Sequence, residues 1–198
     1  MQLVVRFASL EVFLFNYKHK KIIDKVIELG GVVYGGYIRD SFAKREPRDI
    51  DICFFDYNKY YKFKDSLEKI KFRCEITSSF SKDIDETKDI ETKNTSYFYG
   101  NCKEHNKYEN NFTKIDLFLV EKSIFMYGHS PDVNINRLMY SSKGIETYNT
   151  EQSSLEILSD IKNNTFFPEE RCPQERIDKL LNKGWELHPY FIIKDIIE

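Results

Sequence analysis

The sequence predicts an α+β domain, a small mixed sheet flanked by helices, with a short helical extension at its C-terminal end. Three observations lead there. Runs of helical period alternate with short apolar segments of strand character, a hairpin pattern centred on Gly144 appears late in the chain, and no repeat or Pro- or Ser-rich linker divides the 198 residues. That length supports one domain with a real core, which we place at residues 1–165, followed by an extension over residues 166–198.

Each element has its own cue. Ile22, Ile23, Val26, Ile27 and Leu29 recur at helical spacing, and Gly30-Gly31 behind them read as a helix stop. Val32-Val33-Tyr34 is a short buried strand. Gly35-Gly36 turns the chain into a second helix, which begins at Tyr37 and is expected to run to Glu46, because proline disfavours helix in the residue before it. Residues 49–55 alternate as a strand, 57–70 form a helix and 71–76 a further strand. From Ser81 to Asn111 the apolar content collapses, which predicts a long loop or a solvated hairpin. Phe112 to Val120 is a strand with Asp116 at its centre; a hairpin, the helix LEILSDIKN and a basic helix from Gln174 to Trp185, stopped at Gly184, complete the chain.

Composition excludes little. Thirty Lys and Arg against thirty-two Asp and Glu leave a net charge of −2, so a polyanion must be held by a local patch. Cys53, Cys74, Cys102 and Cys172 form no C-x-x-C pair, which argues against zinc and for idle thiols in a reducing, cytoplasmic compartment. The N-terminal segment is interrupted by Arg6 and Glu11 and reads as neither signal peptide nor membrane span. The abundance of Ile, Asn, Lys, Tyr and Phe is what an AT-rich genome, such as that of a virus or phage, produces.

The chemistry lies in GGVVYGGYIRDSFAKREPRDIDICFF, residues 30–55. On a strand, side chains at i and i+2 share a face, so Asp49 and Asp51 project together while Ile50 and Ile52 enter the other side. Two carboxylates at close range repel unless a cation lies between them, and Mg²⁺, which takes few carboxylates and completes its shell with water and phosphate oxygens, suits them. Asp116 is the candidate third carboxylate of a two-metal site. A Gly-Gly turn lets backbone amides approach an anion, and a following helix N-terminus favours phosphate. Asp83-Ile84-Asp85 has the same D-x-D spelling within the polar run and reads as surface charge.

Tyr34-Gly35-Gly36-Tyr37-Ile38-Arg39-Asp40 followed by Arg48-Asp49-Ile50-Asp51-Ile52 resembles the signature of the head domain of class II tRNA nucleotidyltransferases and bacterial poly(A) polymerases, a branch of the DNA polymerase β-like nucleotidyltransferase superfamily. Asp132 to Leu138 is similar to the family segment R-R-D-F-T-I-N-A-L, with Ser130-Pro131 in place of the arginine pair, and the resemblance extends over about residues 22–165.

It implies a nucleotidyltransferase fold and a magnesium-dependent transfer of a nucleoside monophosphate from ATP or CTP to an acceptor hydroxyl, an RNA (tRNA) 3′ end first. By the same resemblance, Gly35 and Gly36 hold the triphosphate, and Asp49, Asp51 and Asp116 hold two magnesium ions and carry the catalysis. Asp132, Asn136 and Arg137 contact the nucleotide. Arg39 lies near phosphate or in a helix-surface ion pair, and Asp40 belongs to the framework. The family's E-D-x-x-R element is absent, so the base added is not readable. Transfer to a protein or small-molecule hydroxyl, and a degenerate nucleotide-binding domain, are the alternatives. Arg171, Arg176, Lys179 and Lys183 form either a phosphate-binding face or a solvated one, and Trp185, His188, Tyr190 and Phe191 are expected to pack.

Overall fold

A computed structural model describes residues 17–70, 72–78, 102–110, 113–128, 131–170 and 172–189. The N-terminal segment 1–16, most of the polar run with Asp83-Ile84-Asp85, and Arg171, Tyr190 and Phe191 lie outside the described residues. The elements are α1 Tyr17–Glu28, β1 Val32–Tyr34, α2 Gly36–Phe42, β2 Asp49–Phe54, α3 Tyr57–Lys69, β3 Arg73–Ser78, β4 Glu104–Glu109, β5 Lys114–Leu119, β6 Leu138–Ser141, β7 Gly144–Thr147, α4 Ser154–Asn163, β8 Thr165–Phe166, α5 Gln174–Leu181 and β9 Glu186–Leu187. The predicted α+β class, a mixed sheet with flanking helices, is the class observed.

Seven strands form one sheet in the order β3-β4-β5-β2-β1-β6-β7. Only β2 and β5 run parallel; every other neighbouring pair is antiparallel. The pleat divides the side chains into two cores. Val33, Ile50, Ile52, Phe54, Ile115, Leu117 and Leu119 face one way, into a core that also contains Ile23 and Val26 of α1, Phe63 and Leu67 of α3 and Ile157 and Ile161 of α4. Val32, Tyr34, Cys53, Phe118 and Met139 face the other, over Phe125 and Tyr148. Each fully buried Phe or Ile in these layers contributes roughly 1.5–3 kcal/mol.

Helix ends follow local chemistry. α1 stops where Gly30 turns left-handed (φ 75°) and the Gly30 and Gly31 amides donate to Ile27 and Val26 carbonyls. α3 opens on Asp56, whose side chain accepts from the Lys59 amide at 2.9 Å. α4 opens on a Ser153/Glu156 capping box and ends at left-handed Asn164.

Two expectations change, and the C-terminal segment adds a further observation. α2 ends at Phe42 rather than at Glu46, because Lys44 turns left-handed (φ 55°) and the Arg45 amide donates back to the Asp40 carbonyl. Residues 104–109, within the run read as loop or solvated hairpin, form β4 between β3 and β5. That strand is polar yet buried because its side chains find partners. Glu104 receives hydrogen bonds from Tyr61 and from Lys64 at 3.0 Å, and Asn106 donates to the Tyr60 hydroxyl and to Glu104. Burial pushes the Glu104 carboxyl up, but the bonds from Tyr61, Asn106 and Lys64 outweigh it and hold it below the ordinary range. Lastly, the segment after residue 165 shares the main core through Phe166, Leu180 and Trp185, and adds a two-stranded parallel pair, β8 with β9. Trp185 is buried as expected, and His188 stacks on Phe167 at 4.2 Å.

Gly31 has no room for a side chain. A Cβ there would meet the Phe54 ring at 2.7 Å and Val26 at 3.0 Å, and that ring is itself packed against Phe63 at 5.3 Å. Gly31→Ala is expected to cost about 1–3 kcal/mol, read as a lower urea midpoint; an unchanged midpoint would show that the Phe54 layer is loosely packed.

Candidate active site

Register builds the site. Within β2, Asp49 and Asp51 lie on the Cys53 face, and the parallel ladder with β5 sets Asp51 opposite Asp116 and Asp49 opposite Lys114. On the other side β1 pairs antiparallel, so Tyr34 stands opposite Asp51 and the chain reaches Gly35 immediately beyond it. Gly35 adopts φ 68°, ψ −136°, a region open to glycine alone, and a Cβ there would come to 3.4 Å from Asp51 Oδ2. The Gly35 amide donates to the Leu138 carbonyl, which ties the turn to β6.

These residues open into a cleft of about 330 Å³. Asp49, Asp51 and Asp116 line it together with Gly35, Gly36, Arg39, Asp40, Asp132 and Asn136. Of the ten residues singled out in the sequence, the structure therefore gathers nine. Arg137 is the exception: its guanidinium donates to Glu169 Oε1 at 2.8 Å and to the Asn149 carbonyl, and it does not line the cleft.

The carboxylates crowd one another. Burial, then Asp49 and Asp116, push the Asp51 carboxyl up to about 8, against the pull of Arg39 and Arg176. Asp116 accepts from His105 Nε2 at 2.8 Å and lies 3.8 Å from Lys107 Nζ, and the His105 ring lies flat on Phe118 at 4.2 Å. The donor set fits magnesium in kind, since hard oxygen ligands with unrelieved mutual repulsion suit a hard cation. Among the described residues no group of three His, Cys, Asp or Glu could enclose a metal by itself. Magnesium does not require such a cage, because it is bound through one or two carboxylates plus water and substrate phosphates.

A second layer braces the first. Arg39 is not on the helix surface: it is buried, with Nε on Asp40 Oδ1 and Nη1 on Asn136 Oδ1, both at 2.7 Å, so it joins α2 to the 3₁₀ turn Asn134–Asn136. The Asn136 carbonyl accepts from the Tyr148 hydroxyl at 2.9 Å. Asp132 accepts from Arg176 Nε at 2.9 Å, so it enters the cleft already paired. Because α2 is only seven residues long, the cations around the cleft, rather than its dipole, dominate the positive field. His105 and Tyr148 were not expected at the site, and Arg48 was expected only as part of the motif, without a role. His105 and Asn106 are polar on both faces of β4, so no alternation marked a strand there, whereas Arg48 adjoins the D-x-D and carried a signal in that position.

No family model and no curated protein matches the chain. Several solved structures align with it at low identity. An apo tRNA-processing enzyme matches at 14% identity over 96% of this chain and 46% of its own, with a TM-score of 0.48. A Thermotoga maritima CCA-adding enzyme complexed with tRNA matches at 14% over 81% and 35%, TM-score 0.47. A Bacillus stearothermophilus CCA-adding enzyme in complex with CTP matches at 12% over 88% and 42%, TM-score 0.45. The chain thus spans less than half the length of each.

Because the folded protein holds the Asp51 proton to a higher pH than the unfolded chain, it should lose stability as pH rises from the ordinary carboxylate range toward 8. In chelator, Asp51→Asn is therefore expected to melt above the parent protein at alkaline pH and to approach it only at pH ~4 and below. A parent protein that melts higher than the variant at alkaline pH would mean that the three carboxylates do not repel.

Proposed function

We propose that the chain is a magnesium-dependent nucleotidyltransferase that moves a nucleoside monophosphate from ATP or CTP to an acceptor hydroxyl, the 3′ end of an RNA such as tRNA, with release of pyrophosphate. The observation that carries this is the register pairing of Asp51 with Asp116 beside Asp49, facing a glycine turn that leaves backbone open to phosphate. The motif resemblance supports the RNA acceptor.

Magnesium, two ions in the form the resemblance implies, would neutralise phosphate charge and promote ionisation of the attacking hydroxyl. The chain's own groups do the rest. Asp49 and Asp51 hold the nucleotide side of that site, and Asp116, shared with Asp51 across the ladder, serves the acceptor side. The bond from His105 orients the Asp116 carboxylate. Arg39, fixed by Asp40 and Asn136, keeps a positive charge beside the glycine turn without needing to reorganise, and such preorganisation lowers the barrier. Among the described residues no helix is long and apolar enough to cross a membrane.

Incubation with Mg²⁺, each α-labelled nucleoside triphosphate in turn and a mixed tRNA pool is expected to put label into RNA. The Asp49→Asn/Asp51→Asn protein should transfer at least about 10³-fold less. Label in protein or in a small molecule would replace the RNA acceptor with another, and no label anywhere would leave a nucleotide-binding domain without turnover.

A further inference from the structure

The cleft carries both signs of charge. Arg39, Arg48, Arg176, Lys179 and Lys183 line it together with the aspartates. Their pairing is uneven. Arg39 is taken by Asp40 and Asn136, and Arg176 by Asp132. Lys183 reaches only 3.8 Å from Asp40, which already accepts from Arg39 at 2.7 Å. Arg48 and Lys179 make no ion pair among the described residues.

We propose that Arg48, Lys179 and Lys183 form an anion subsite for the polyphosphate tail of the incoming nucleotide. This rests on the nucleotidyl-transfer reading above and assigns the tail to specific side chains. Lys179 lies on α5, Lys183 lies in the turn that follows it, where its amide donates to the Leu180 carbonyl, and Arg48 comes from the loop before β2, so cations from separate parts of the chain meet in one cleft. They feel one another: burial holds the Lys183 ammonium below its ordinary range, and although Asp40 opposes this, Arg39, Lys179 and Arg48 depress it further. Like charges gathered this way destabilise the empty fold and are relieved by an anion.

The cations run from half-buried Lys183 to exposed Lys179 and Arg48, which suits a chain of phosphates entering from solvent. A volume of about 330 Å³ is on the scale of a small-molecule pocket rather than of an open nucleic-acid track. The turn after α5 is tied to the loop after α2 by Arg45, whose guanidinium lies 4.5 Å over the Trp185 ring and donates to the Lys183 carbonyl at 2.6 Å, which fixes the backbone at Lys183.

Calorimetric titration with inorganic tripolyphosphate in chelator tests this without any turnover. The parent, Arg48→Gln and Lys179→Gln proteins are compared, and because both side chains are exposed and make no ion pair among the described residues, the variants should melt no lower than the parent. Each substitution is expected to weaken tripolyphosphate roughly tenfold, the loss of one charged hydrogen bond, and to leave binding of a 5′-hydroxyl RNA oligonucleotide nearly unchanged. Tripolyphosphate affinity equal to the parent's overturns the subsite, and so does a loss confined to the oligonucleotide, which would make the wall a nucleic-acid surface. Absence of label transfer alongside the expected titration would fail the transferase reading and leave the anion subsite standing.

Discussion

The parallel ladder between β2 and β5 is the constraint on which the rest depends. Six consecutive residue pairs fix its register, and one of them is Asp51 with Asp116. A slip of one residue would turn Asp116 into the apolar core and bring Ile115 or Leu117 to the cleft, so the burial of Ile50, Ile52, Phe54, Ile115, Leu117 and Leu119 on one face is also what assembles the acids on the other. Core packing and site geometry are one interaction viewed from two sides of a sheet. The electrostatic cost falls on Asp51, the carboxylate flanked by both of the others.

Around that ladder the fold spends its buried polar groups on bracing. Arg39 links the helix after the glycine turn to Asn136, and Asn136 in turn receives Tyr148. Asn134 donates to Asp160 of α4 at 2.8 Å and accepts from the Phe167 amide at 2.8 Å, so the 3₁₀ turn, α4 and the start of the C-terminal segment are tied together. Buried networks of this kind are costly when half made and rigid when complete, which suits a cleft lined by charges of both signs. The C-terminal segment is therefore part of the site: its Leu180 and Trp185 lie in the main core while Arg176, Lys179 and Lys183 line the cleft.

Elements whose signal is local were legible. Helical spacing, glycine stops, caps and the alternation at residues 49–55 depend on neighbours within a few positions, and α1, β1, β2, α3, the β6–β7 hairpin and α4 appear close to where those cues put them. β4 was not legible, because a strand paired on both sides can carry polar residues if distant partners such as Tyr60, Tyr61 and Asp116 satisfy them. Arg137 shows the converse. A motif position suggested a nucleotide contact, yet Glu169 and Asn149, which come together with it only in the folded chain, take its guanidinium.

By itself the sequence carried the α+β class, the D-x-D on one strand face, the glycine turn before it and Asp116 as the candidate third carboxylate, since those signals lie in local spacing, residue chemistry and the motif resemblance. Only the tertiary structure decided that Arg39 is a buried brace, that His105 holds Asp116, and that the basic face of the last helix lines the cleft. Those are contacts between residues as many as 97 positions apart, and no local pattern encodes which distant charges will meet.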